Sequence, residues 1–136
     1  MSVSVSIIVP CYNVAAYLDQ CMESLTGQSM EDIEIICVND GSSDRTAEIL
    51  REWRNRDRRV RIIDQKNSGV SAARNSGMAA AAGTYIGFVD PDDMVERNMF
   101  QRLVTAAAEK EADVAVCGYH EFCDCGDMDM SERGWA

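Results

Sequence analysis

The stretch TYIGFVDPDD, residues 84–93, decides how this chain is read. Tyr85 to Val89 is an apolar run of strand length, the pattern of a buried strand. It ends in Asp90-Pro91-Asp92-Asp93. Carboxylates crowded at a strand end repel one another unless something positive sits between them. A divalent cation carrying a diphosphate answers that need, because Mg²⁺ and Mn²⁺ favour a few carboxylates together with phosphate oxygens and water. One residue separates Asp90 from Asp92, so both side chains can leave one turn towards a shared point. This pair is the candidate metal site. Asp93 is either a third participant or the cap of the next helix.

Outward from this turn, strands and helices alternate. Val3 to Val9 reads as the first strand, with Pro10 ending it. A helix from about Val14 to Leu25 follows, with Tyr17, Leu18, Cys21, Met22 and Leu25 on one face and Asn13 as its N-cap. Ile33 to Val38 is apolar enough to be covered on both faces. Asn39-Asp40-Gly41-Ser42-Ser43-Asp44 is a turn by composition. Ser43 or Asp44 can cap the helix holding Ala47, Ile49, Leu50 and Trp53, and Asp44 and Thr46 read as a cap and first-turn pair. Val60 to Ile63 is a third strand. Ser71 to Ala82 is helical, with Gly83 as its C′ residue. Thr84 to Val89 is the fourth strand, Met94 to Lys110 a helix, and Asp113 to Gly118 a fifth strand. Short connections between alternating elements imply right-handed crossovers and an α/β fold: a mostly parallel open sheet with flanking helices. The polar segments Pro10–Asn13, Asn39–Asp44 and Asp90–Asp93 all follow strands. They therefore share the carboxyl rim, where open α/β sheets bind ligands.

Asp40 is a ribose-binding acid or a turn residue before Gly41. The dinucleotide signature Gly-x-Gly-x-x-Gly is absent, since the first strand leads into PCYN. Arg74 faces either solvent or the rim. Lys66 and Asn67 sit in a loop within reach of a phosphate or base.

The 136 residues suit one domain with a real core, 46% of them apolar. A formal net charge of −10 argues against binding a nucleic acid backbone or anchoring by basic residues to a membrane. Residues 1–87 carry 11 acids and 9 bases, and residues 88–136 carry 12 acids and 4 bases, so the excess lies with the proposed metal site and the tail. Arg51, Arg54, Arg56, Arg58, Arg59 and Arg61 read as a solvated helix end and turn. Cys11, Cys21, Cys37 and Cys117 read as small core residues in a reducing compartment. His120, Cys123 and Cys125 lack a fourth ligand for structural zinc. Ser2 to Val9 is neither a secretory signal nor long enough to span a bilayer, so the cytoplasm is the expected location, with membrane association only through parts of a longer parent chain.

The blocks IIVPCYNVAAYLDQCMESLTGQSMEDIEIICVNDGSSDRTAEIL and NSGVSAARNSGMAAAAGTYIGFVDPDD, in that order and spacing, resemble the opening of family 2 glycosyltransferases. The resemblance runs to about Gly118. It implies a Rossmann-like GT-A fold, incomplete at its C-terminus, with a nucleotide-sugar-binding part over residues 1–119 and a polar tail over 120–136. It implies that Pro10, Tyr12, Asn13, Asp40, Arg74, Asp90 and Asp92 bind the sugar nucleotide, with Tyr12 and Asp40 near the base and Arg74 near base and phosphates. Asp90 and Asp92 take the positions of the family's Asp-x-Asp, holding Mg²⁺ or Mn²⁺ against the diphosphate. Glu34 matches an acid of structural role.

The activity so implied is an inverting transfer of sugar from a nucleoside-diphosphate sugar, a UDP-sugar foremost, to a hydroxyl of a glycan, lipid-linked or protein acceptor. The general base is expected beyond Ala136, because no context recommends Asp124, Asp127, Asp129 or Glu132. Two other readings stand beside it. A sugar nucleotidyltransferase would need a glycine-rich basic loop where PCYNVAAYL stands. A non-catalytic fragment that associates with itself, as a homo-oligomer, would follow from a sheet edge left open.

Overall fold

In a computed structural model, residues 2–121 are described. The chain divides into two compact units, Met1–Gln101 and Arg102–Ala136. The first holds β1 (Val5–Cys11), α1 (Ala15–Thr26), β2 (Ile33–Asp40), α2 (Thr46–Arg56), β3 (Val60–Gln65), α3 (Val70–Ala80) and β4 (Tyr85–Phe88). Helix α4 (Met99–Lys110) begins at its end. The four strands form a parallel sheet in the order β3-β2-β1-β4.

Why this sheet forms is visible in β1 and β2, whose every residue is buried. VSIIVPC has four β-branched residues of seven and IEIICVND four of eight, and burial on both faces is what a central parallel strand requires. Helix α3 covers one face, where Ala73 packs with Ile36 and Val38, and Ile63 and Ala81 close the cluster. Its Gly77 lies so close to β1 that an added Cβ would sit 2.5 Å from Ile8 Cγ2. Helix α1 buries Leu18, Cys21, Met22 and Leu25. It lies over the opposite face, where the Cys37 thiol is 3.6 Å from Met22 Sδ.

Pro10 does not stop β1. It lies inside the strand, opposite Val38. The Ile8 carbonyl accepts from the Val89 N–H, so the even positions of β1 aim their backbone groups at β4. β4 ends at Phe88, opposite Ile8, so the missing N–H of Pro10 faces a place where no ladder bond is formed.

Asn13 is not the side-chain cap of α1, which begins after Val14 with no cap from its own N-terminal residue. Gly83 is not the C′ residue of α3 either: the helix leaves through an extended Ala81. Gly83 instead lies against β1, where a Cβ would meet the Ser6 nitrogen at 2.6 Å, and its N–H donates to Ser6 Oγ.

β4 is shorter and more open than its composition implies. Ile86 and Phe88 are 44% and 48% exposed. By register they share a face with Ser6 and Ile8, but α3 is centred over β1 and β2 and leaves the edge strand bare. On the other face Gly87 meets the Phe100 ring.

In the second unit, α4 ends with Glu111 in the left-handed region (φ 51°), and Ala112 N–H returns to the Ala107 carbonyl. This is the bonding of a Schellman end, with Glu in the place usually taken by glycine. Residues 113–118 form no strand, and Val114, Val116 and Cys117 are exposed. A strand needs a partner ladder, and among the described residues none is offered to this one. Most of the tail expected over 120–136 lies outside the described residues, as do Cys123 and Cys125.

Of the arginines expected to be solvated, Arg59 instead pairs with Asp57 at 2.8 Å and Arg61 with Glu34 at 2.8 Å. Among the described residues, no helix is long and apolar enough to cross a membrane.

Candidate nucleotide and metal site

The strand order places a topological switch between β1 and β4, since the chain winds outward from β1 to β3 and then returns to β1's other side. Crevices at such points are where open α/β sheets take their ligands. Pro10, Cys11, Tyr12, Asp40, Asn67, Gly69, Val70 and Ala73 line an open cleft of about 290 Å³ at this rim. That is near the lower end of small-molecule sites, roughly 300–1,000 Å³. Tyr12 is 52% exposed, an aromatic face available for stacking.

Asp40 is the buried anchor of the far wall. Its Oδ1 accepts from Gln65 Nε2 at 2.9 Å and Ser68 N–H at 2.8 Å, and its Oδ2 from Gly69 N–H at 2.9 Å. The Gln65 bond, and after it the two backbone bonds, hold the carboxyl below its ordinary range against the opposing effect of burial. A carboxylate offers about four acceptor positions, so one is left for a ligand. Gly41, with φ 76°, permits the turn: a Cβ there would lie 2.7 Å from Asn67 N.

Asn13, read from sequence as a ligand residue, has its side-chain oxygen engaged within the loops. Its Oδ1 accepts from the Ser43 N–H at 2.8 Å and more weakly from the Asp44 N–H and Ser43 hydroxyl, both at 3.4 Å.

At the other side of the switch, Asp93 N–H donates to the Asp90 carbonyl at 3.0 Å, closing a turn with Pro91 at its second position, where proline's fixed φ fits. The turn gathers one carboxylate oxygen each from Asp90, Asp92 and Asp93 within 4.8 Å of one another, all three residues exposed. Bonds of about 2.1 Å to one octahedral ion put ligand oxygens roughly 3–4 Å apart, so this all-oxygen set fits Mg²⁺ or Mn²⁺ after small side-chain movements. Asp93 therefore joins the pair read from sequence. Partial burial, then the Asp92 and Asp90 charges, raise the Asp93 carboxyl above its ordinary value. Because the residue is exposed, the like charges are the more telling cause, and a cation would relieve them.

Arg74 faces the rim. From α3 its guanidinium donates to Asp90 Oδ1 at 3.2 Å, both side chains being partly exposed. Beneath the turn the Cys21 thiol lies 3.7 Å from the Asp90 carbonyl. Burial, then Cys11 and the Asp93, Asp92 and Asp90 carboxylates, push that thiol to about 12, so it is an inert packing group.

Cys11, Gly69, Val70 and Ala73 also line the cleft, beyond the residues read from sequence. The available signal was Val70, an apolar residue opening a helix after a polar loop, which is 52% exposed.

The chain matches the family described as Glycosyl transferase family 2 over residues 6–133, and it belongs to that family. Its sheet, helices and rim are those of the GT-A fold. It is 52% identical over 117 residues to the uncharacterized glycosyltransferase EpsJ of Bacillus subtilis (strain 168), covering 86% of this chain and 34% of EpsJ. It is 41% identical over 133 residues to the putative glycosyltransferase EpsH of the same organism, covering 95% of this chain and 38% of EpsH. The chain thus spans a little over a third of the length of these relatives. Among solved structures, S. aureus TarS 1–349 in complex with UDP-GlcNAc superposes with a TM-score of 0.75 at 28% identity, over 79% of this chain and 32% of that one. The mannosyltransferase PcManGT from Pyrobaculum calidifontis, in complex with GDP-Man and Mn²⁺, has a TM-score of 0.73 at 22% identity over 79% and 33%, a likeness of fold.

Proposed function

We propose that this chain supplies the donor and metal site of a metal-dependent, inverting glycosyltransferase. The substrate is a nucleoside-diphosphate sugar, with a UDP-sugar favoured. The acceptor is a hydroxyl on a glycan, a lipid-linked glycan or a protein. One observation carries the reading: an aromatic- and Asp40-lined cleft and a three-carboxylate turn flank the same switch point, and Arg74 reaches Asp90 from the helix that lines the cleft. Family membership and the likeness to a UDP-GlcNAc complex support it.

In this reading Tyr12 stacks on the base while the remaining acceptor position of Asp40 takes a donor from the base edge. Arg74 meets a phosphate, as a guanidinium is suited to do. Asp90 and Asp92 hold the divalent ion, with Asp93 adjoining. When bound, such an ion neutralises the diphosphate and improves it as a leaving group. The acceptor oxygen forms a bond to the anomeric carbon as the bond from that carbon to the diphosphate oxygen breaks, inverting the centre. No described residue is assigned as the base that takes the acceptor proton.

Calorimetry of the 136-residue chain with UDP, with and without Mn²⁺, tests the proposal. Binding that strengthens at least tenfold with Mn²⁺ is expected. A folded sample that binds UDP equally with and without the ion, or does not bind it, refutes the metal-assisted reading.

A further inference from the structure

The segment between β2 and α2 bonds repeatedly to the β1–α1 loop. Asp44 Oδ1 accepts from Thr46 N–H at 2.9 Å, capping α2. Its Oδ2 accepts from Ala15 N–H at 3.2 Å, at the first residue of α1. One carboxylate therefore serves the N-termini of two helices, where exposed N–H groups and the helix dipoles favour negative charge. Thr46, fully buried, adds a second tie by accepting from Val14 N–H at 3.0 Å through its hydroxyl. Ser42 Oγ accepts from Asn13 N–H at 3.1 Å, and Asn13 Oδ1 returns to the Ser43 and Asp44 N–H groups. The backbone of residues 13–15 is thus bonded at three consecutive N–H groups, all to side chains of 42–46. Asn13 sits at φ 50°, in the left-handed region that asparagine enters more readily than most residues with a Cβ, and these bonds hold it there.

Tyr12 directly precedes this clasped segment, and it is an exposed side chain of the cleft. We infer that Asp44 is a positioning residue for the nucleotide cleft: without touching the ligand, it fixes the Tyr12–Asn13 loop by capping α1 from α2. The same polar segment works in the other direction, because Asp40 holds Ser68 and Gly69 on the opposite wall. Both walls are therefore set from one stretch, Asp40 to Thr46. The inference rests on the proposed nucleotide reading for its ligand, and its structural half can be measured without one.

Asp44→Ser separates the roles. A serine oxygen reaches the Thr46 N–H two residues on and keeps the α2 cap, but is too short to cap Ala15 as well. Asp44→Asn also keeps one acceptor oxygen but turns an N–H₂ towards the Ala15 N–H, so it should lose the α1 cap as serine does. Amide hydrogen exchange, urea unfolding and UDP affinity with Mn²⁺ are measured on all three proteins. For Asp44→Ser we expect exchange at Asn13, Val14 and Ala15 to rise about tenfold or more, with the unfolding midpoint little changed. UDP affinity should fall about tenfold, as when the competent loop conformation drops to roughly a tenth of the population. The ratio of affinities with and without Mn²⁺ should stay as in the native chain. Unchanged exchange at residues 13–15, or native UDP affinity despite faster exchange there, overturns the inference. If the native chain itself binds no UDP while the exchange result holds, the nucleotide reading has failed and the clasp has not.

Discussion

Replacing Glu34 by alanine is expected to destabilise the sheet by about 1–4 kcal/mol. Glu34 lies on β2 with its side chain almost fully buried. Its Oε1 accepts from the Ser6 hydroxyl of β1 at 2.6 Å and from the Ala82 N–H at 2.7 Å. Its Oε2 accepts from Arg61 of β3 at 2.8 Å. One side chain thereby joins three adjacent strands to the segment that leads into the fourth. Alanine would strand a buried Ser6 hydroxyl, costing roughly 1–3 kcal/mol, and remove two charge-assisted bonds. The Ala82 N–H can turn to water, and the half-exposed Arg61 pair adds at most about 1 kcal/mol, which keeps the sum at the stated range. Glu34→Gln retains the shape and one acceptor and should cost about 1 kcal/mol.

Acid dependence gives a second signature. Burial alone would raise the Glu34 carboxyl, but the bonds from Ser6, Ala82 and Arg61 outweigh it and hold the carboxyl below its ordinary value of 4.5. The unfolded chain therefore binds the proton more readily. The contribution of Glu34 is fully present above the ordinary glutamate range and is lost as pH falls through the lowered native value. Urea unfolding of native, Glu34→Gln and Glu34→Ala chains at neutral pH and at successively lower pH reads both effects. A Glu34→Ala chain within about 0.5 kcal/mol of native at neutral pH, or a native-to-Gln gap that widens on acidification, would refute this account.

Gly83→Ala forces a methyl to within 2.6 Å of the Ser6 backbone nitrogen, so the chain must shift; a loss of about 1–3 kcal/mol, read as a Tm lower by several degrees, is expected, and an unchanged Tm would contradict the close approach. Asp92→Ala should weaken Mn²⁺-dependent UDP binding more than Asp93→Ala does, and equal small effects in the same titration would contradict that ranking. Arg74→Ala should leave stability within about 1 kcal/mol, because its ion pair with Asp90 is exposed, yet lower UDP affinity severalfold. A stability loss with unchanged affinity would make Arg74 a structural residue.

The parallel sheet was legible because β1 and β2 carry their burial in their composition, and the rim loops were legible because Asp, Asn, Gly and Ser follow each strand. The three-carboxylate turn was legible in part: Asp90 and Asp92 stood out by spacing, while the place of Asp93 depended on the turn closing through its own N–H. Features set by distant partners were not. Asn13 looks like a helix cap until Ser43, thirty residues away, is seen to take its oxygen. Pro10 looks like a strand terminator unless the length of β4 is known. Gly83 has the composition of a helix end, but its reason is Ser6, 77 residues earlier. Residues 113–118 carry a strand's pattern, yet no ladder joins them among the described residues, and no local signal reveals that.

The two halves of the rim rest on supports of unequal firmness. Pro10 to Tyr12 extend from a wholly enclosed central strand, whereas the aspartate turn hangs from four residues at the margin, with Ile86 and Phe88 open to solvent. Sequence drift at Ile86, Phe88 and the exposed aspartates disturbs little of the interior, whereas drift anywhere in β1 reaches it. A lineage built on this plan is therefore freer to vary the aspartate turn than the loop that leaves β1, and divergence among its members should gather at the margin first.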